Sequence, residues 1–188
     1  ALSTVLVMLF IGDTLMKYPQ ENNYLPRRIA IISALAFGLS PLVLIWGRIA
    51  VSDALLCSNL GICLLFQWRR YANPEGETWW ISWVFLSFAI LTKGPVSIIL
   101  LVLINFFFAL YQSDFRIIWK RLKPLSGLVL TFVISFPWYL IEVLIEGKPF
   151  IDSFFGYHNF QRFTSVVNSH SEPWWFFLLV LSIASLPF

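Results

Sequence analysis

Apolar positions in this chain come in long blocks separated by short polar stretches. Seven apolar segments stand out, at residues 1–12, 29–46, 54–68, 79–92, 95–111, 125–145 and 174–188, the first and last of them partial. Blocks of this kind predict membrane helices, so the predicted class is all-α, a polytopic transmembrane helix bundle. A full crossing takes about 20 residues, and the segments of 14 or 15 residues reach only about 22 Å at about 1.5 Å per residue. Either flanking residues complete them, or some connecting turns are recessed below the membrane surface. In the second segment Ala30, Ala34 and Gly38 recur every four residues and offer a small-residue face for close helix packing.

Composition supports the membrane reading. Of 188 residues, 59% are hydrophobic, 18% aromatic and 12% charged, against about 25% charged in soluble domains. Cys57 and Cys63 lie inside one apolar run, do not form a CxxC pair, and are read as small buried residues. Ala1 and Leu186-Pro187-Phe188 both fall inside apolar runs, which leads us to expect a piece of a longer polytopic chain.

The loops between the segments alternate in charge. Loops one, three and five carry Lys17, Arg27, Arg28, Arg69, Arg70, Arg116, Lys120, Arg121 and Lys123, whereas loops two, four and six carry Arg48, Lys93, Lys148 and Arg162. Acidic residues divide evenly. The positive-inside rule then puts the odd loops in the cytoplasm and the even loops outside. The basic stretch 112–124, with Phe115, Ile117, Ile118 and Trp119 interleaved, reads either as an interfacial amphipathic helix or as a solvated positive loop.

Three outward stretches carry candidate chemistry. Leu91-Thr92-Lys93-Gly94-Pro95 places an ammonium in a turn, with Pro95 suited to open the next helix. That helix would aim its positive end at the same spot, an arrangement that favours an anion such as a phosphate. A lysine that only snorkels to the membrane surface is the simpler alternative. Arg48 and Asp53 flank a second turn, where the carboxylate either pairs with Arg48, caps a helix, or faces a cavity. The last loop, 142–173, sets Glu146, Asp152, His158, Arg162, His170 and Glu172 among many aromatic residues, and is too apolar to float free of the membrane. His158 and Arg162 would share a face if their segment is helical. His158 with carboxylates could hold a divalent metal, but the spacings match no compact zinc motif. No nucleotide-binding loop or hydrolase elbow is present, and the basic residues give no support for nucleic-acid binding.

Taken in order, Arg48-x-x-x-x-Asp53-Ala-Leu-Leu, Leu91-Thr-Lys-Gly-Pro95, Pro137-Trp-Tyr139, Pro149-Phe-Ile151, His158-x-x-x-Arg162-Phe163 and His170-x-x-Pro173-Trp-Trp resemble the GT-C glycosyltransferases. The nearest branch is that of 4-amino-4-deoxy-L-arabinose transferase and dolichyl-phosphate-mannose–protein mannosyltransferase-like bacterial enzymes. The resemblance implies an inverting transferase of the bacterial inner membrane. Such an enzyme moves a sugar from a polyprenyl-phosphate carrier to a lipid, glycan or protein acceptor on the outer, periplasmic face. It implies that Lys93 binds the carrier phosphate with Arg162 and His158 close by, and that Asp53 is a secondary carboxylate of the catalytic cavity. Arg48 and His170 are further candidates, His158 is the candidate metal ligand, and no nucleotide is needed. The family's main acidic catalytic residue lies in a loop that precedes the first segment seen here, so this piece alone is expected to be inactive.

Two other classes make different demands. A transporter or flippase for an anionic lipid would use the same intramembrane charges, but no internal repeat is visible. A scaffold without a small-molecule site would leave Lys93 and Asp53 apart.

Overall fold

A computed structural model describes residues 2–17, 26–49, 52–152, 154 and 175–184, with Pro26, Trp46, Phe177, Leu181 and Ala184 described by backbone alone. Among these residues every regular element is a helix. In chain order they are α1 (Leu2–Lys17), α2 (Pro26–Leu39), α3 (Pro41–Trp46), α4 (Ser52–Ala72), α5 (Trp80–Lys93), α6 (Val96–Gln112), α7 (Phe115–Leu122), α8 (Pro124–Glu146), a single turn α9 (Lys148–Phe150) and α10 (Phe176–Ala184).

Local chemistry explains most boundaries. The expected segment 29–46 is two helices, because Pro41 has no N–H to continue a helix and disfavours helical geometry at Ser40, which sits at φ −55°, ψ 129°. The segment expected at 54–68 is longer at both ends, since α4 absorbs Asp53 at its start and Arg69 and Arg70 at its finish. The basic stretch 112–124 resolves as the amphipathic helix α7. Asp114 caps it by accepting the Ile117 N–H at 2.9 Å, and Lys123 ends it in the left-handed region at φ 49°. Gly147, at φ 66°, ends α8.

Antiparallel α4 and α5 form the centre, with α1 packed on α4, α2 on α1, and α6 and α8 on α5. Leu60, Cys63, Trp83, Leu86, Ile90 and Leu101 make the main core, and Val7, Ile62 and Phe66 a second one between α1 and α4. The small-residue face of α2 packs as expected: Ala30 is buried, and a Cβ on Gly38 would meet the Met8 sulfur at 2.3 Å. Gly127 similarly lets α8 close onto α5, since a Cβ there would lie 1.9 Å from the Trp83 ring.

The interior holds many small polar side chains, and each satisfies itself on a nearby carbonyl. Ser87 donates to Trp83 O, Ser97 to Ala89 O, Thr131 to Trp83 O and Ser135 to Thr131 O. The outside is apolar, with Val102, Leu103 and Phe107 of α6 and Val129, Phe132, Val133 and Leu144 of α8 all exposed. Small polar groups inside and large apolar groups outside is the pattern of helices packed in lipid, where tight van der Waals contact and local hydrogen bonds replace a hydrophobic driving force. Among the described helices α8, with 23 residues, is long and apolar enough to cross a membrane, and α5 and α6 are shorter apolar helices.

Two sequence readings are corrected here. Cys63 is fully buried, but Cys57 is exposed. Arg69 is not part of a polar connector. Its side chain is 4% exposed and is tied to α1 by Asp13 at 2.8 Å and the Thr14 hydroxyl at 2.7 Å, with its guanidinium over Phe66.

Candidate functional site

Because α4 and α5 run antiparallel, the start of one meets the end of the other. Asp53 lies in the first turn of α4 and Lys93 is the last residue of α5. Lys93 is therefore helical, one step short of the turn expected from its sequence. The Lys93 Nζ donates to Asp53 Oδ1 across this junction. Each charge suits its helix end, a carboxylate at the positive N-terminus and an ammonium at the negative C-terminus. Both are accessible, with side chains 37% and 43% exposed. An ammonium has three donors, so one bond to Asp53 leaves it able to meet a second oxygen anion.

Gly94 makes the tight passage to α6. It adopts φ 77°, ψ −155°, a region open essentially to glycine alone, and its N–H returns to Ile90 O at 2.7 Å. Pro95 is the N-cap of α6 rather than its first helical residue. The same Ile90 carbonyl also accepts the Tyr139 hydroxyl at 2.8 Å, which pins α8 to the end of α5. Below this turn an apolar groove of about 580 Å³ runs between Ile90, Pro95 and Ile98 on one side and Leu128, Phe132 and Tyr139 on the other.

The beginning of the last loop lies at this end too. Phe150 is buried, stacks on Phe154 at 5.4 Å and meets Trp138 edge-on, while Phe154 contacts Tyr139. Residues 142–146, read as the start of that loop, belong to α8, and residues 153 and 155–173 lie outside the described residues. Arg48 is exposed in the turn after α3, and the partner of Asp53 is Lys93, not Arg48. His158, Arg162 and His170 lie outside the described residues. Among the described residues no group of three or more His, Cys, Asp or Glu side chains comes together to hold a metal.

Tyr139 and the Gly94 carbonyl-sharing arrangement were not singled out as parts of the site by residue chemistry. The available signal was a lone phenol in the apolar run of α8, which needs a hydrogen-bond partner when half-buried.

Residues 2–141 match the profile of the dolichyl-phosphate-mannose-protein mannosyltransferase family. The chain belongs to that family. An uncharacterized protein of Aquifex aeolicus is 31% identical over 179 residues, covering 94% of this chain and 39% of that protein. The undecaprenyl phosphate-alpha-4-amino-4-deoxy-L-arabinose arabinosyl transferase of Pseudomonas paraeruginosa is 27% identical over 168 residues, covering 74% of this chain and 29% of the transferase. A second such transferase, from Proteus mirabilis, is 24% identical over 167 residues, covering 86% of this chain and 29% of its own length. The chain thus spans about a third of the length of these relatives. No solved structure matches it. Within the family match lie the Lys93–Asp53 pair, the Gly94 turn and Tyr139.

Proposed function

We infer that this chain is part of a membrane glycosyltransferase that takes a sugar from a polyprenyl-phosphate carrier and gives it to a lipid, glycan or protein acceptor. The proposed place is the extracytoplasmic face of a bacterial inner membrane, with the bundle crossing the bilayer several times. One observation carries the reading: two residues 40 positions apart, Asp53 and Lys93, meet at one accessible rim. Family membership and the arabinosyl transferase relatives support the transfer chemistry proposed for that rim.

In that chemistry the leaving group is a lipid phosphate. In this reading the Lys93 ammonium pairs with the phosphate and stabilises the charge that grows as the sugar departs. Asp53 positions the amine before the donor arrives and then shares it or yields it to the phosphate. The apolar groove beneath Gly94-Pro95 suits the hydrocarbon chain of the carrier. His158 and Arg162 are proposed to complete the phosphate site, with Arg48 and His170 as further members of the rim. His158 is the proposed ligand should a divalent ion assist.

The test is Lys93→Ala in the full-length protein. Loss of one such electrostatic contact is expected to lower sugar transfer by about 10²–10³-fold, with membrane insertion unchanged. Transfer at the wild-type rate in the inserted variant would overturn the assignment. Carrier movement across vesicles without sugar transfer would instead favour a flippase built on the same rim and groove.

A further inference from the structure

At the other end of the bundle, α7 separates two concavities of opposite chemistry. One, of about 480 Å³, is lined by Arg70, Lys120, Arg121 and Lys123 with Glu75 as the acidic residue. The other, of about 380 Å³, takes Phe115, Ile118, Trp119 and Leu122 from α7 and continues along apolar residues of α6 and α8.

The basic pocket sets four cations against one carboxylate, that of Glu75. The ion pairs among the described residues join Lys17 and Arg69 to Asp13 and Lys93 to Asp53, so none involves its four cations. Arg70, Arg121 and Lys123 are nevertheless held in place. Arg70 donates to Arg121 O at 3.2 Å and to Glu77 O at 2.7 Å. Arg121 donates to Tyr71 O and lies 5.1 Å from the Tyr71 ring centre, and Lys123 sits 5.7 Å from that of Trp79. Carbonyls and ring faces orient a cation without neutralising it. The chemistry recognised by oriented guanidinium and ammonium groups in excess over carboxylate is a phosphate.

The second concavity says which phosphate. Phe115 and Trp119 are exposed at its rim, as aromatic side chains are at a membrane boundary. We propose that α7 and the end of α4 form a binding site for an anionic phospholipid. Its headgroup phosphate is held by Arg70, Lys120, Arg121 and Lys123, and one acyl chain lies in the apolar groove across α7. A soluble anion would have no use for that groove. The site lies at the opposite end of α4 and α5 from Lys93. The proposal needs only that the bundle sits in a bilayer, and it stands or falls independently of sugar transfer.

The experiment is native mass spectrometry of the delipidated full-length protein, titrated with phosphatidylglycerol and with phosphatidylcholine of the same acyl chains. Phosphatidylglycerol is expected to bind more tightly. Lys120→Gln with Lys123→Gln alters two exposed side chains, which leaves the fold intact. This variant should lose on the order of 25-fold in phosphatidylglycerol affinity, about fivefold per basic residue, with phosphatidylcholine unaffected. Glycerophosphoglycerol, which lacks the acyl chains, should bind far more weakly. Equal affinity for the two lipids, or unchanged phosphatidylglycerol binding in the variant, would overturn the proposal. Displacement of the lipid by inorganic phosphate would overturn it as well and return the pocket to a soluble anion.

Discussion

Lys93 and Asp53 illustrate how opposite charges can be stable at a membrane rim and still be usable. Each is favoured by its own helix end and by the other, yet both keep more than a third of their side-chain surface open. If the contact is only a tie between helices, exchanging the charges should preserve it. The double variant Asp53→Lys, Lys93→Asp keeps the pair but sets each charge at the unfavourable helix end, so it is expected to insert with somewhat lower stability and to stay inactive in transfer, measured on the full-length enzyme in membranes. Wild-type transfer by the swapped protein would show that the pair alone matters, not the position of the amine. Arg69 makes the opposite case, a cation almost wholly withdrawn and held by Asp13 and Thr14. Asp13→Ala leaves it without its carboxylate. It should lower stability in detergent by about 1.5–3 kcal/mol, the usual value of a charged hydrogen bond, without touching the Lys93 end.

The helices are joined by positions that tolerate little change. Gly127 abuts the Trp83 ring so closely that any side chain must push α8 away from α5. Gly127→Ala is expected to cost about 1–3 kcal/mol as an overpacking substitution, read as a lower unfolding midpoint. Gly94→Ala meets a backbone obstacle instead, because φ 77° with ψ −155° excludes a Cβ. It should disturb the α5–α6 turn, and with it the direction of Lys93, so transfer should fall even where stability is held. The helical type of the elements was readable from apolar blocks, whereas the break at Ser40-Pro41 falls inside the single segment read over 29–46. Their ends were less so: α4 draws Arg69 and Arg70 into its last turn because packing against α1 gives Arg69 partners that a chain pattern does not display.

The molecule as a whole has two unlike ends. The turn at Lys93, the C-terminus of α8 and the start of the last loop share one, while Arg70, α7 and the end of α4 share the other. If the first faces outside, a membrane-impermeant maleimide should label Lys148→Cys in intact spheroplasts and Arg116→Cys only after permeabilisation, both in a Cys57→Ser background. The reverse pattern would turn the bundle over and remove the extracytoplasmic site. The alternation of basic loops already contained this division, because helices that cross back and forth return alternate loops to the same side.

Apolar blocks determined an all-helical chain, and the motifs around Asp53, Lys93 and Tyr139 pointed to the transferase family that the residues at 2–141 match. Those are properties of local composition and order, which a linear chain carries openly. Only the fold decided that Lys93 meets Asp53 rather than Arg48, that Arg69 is buried, and that Tyr139 shares a carbonyl with Gly94. Each of these depends on residues 40 or more positions apart being brought within bonding distance by helix packing, and spacing along the chain does not encode which partner a charge will find.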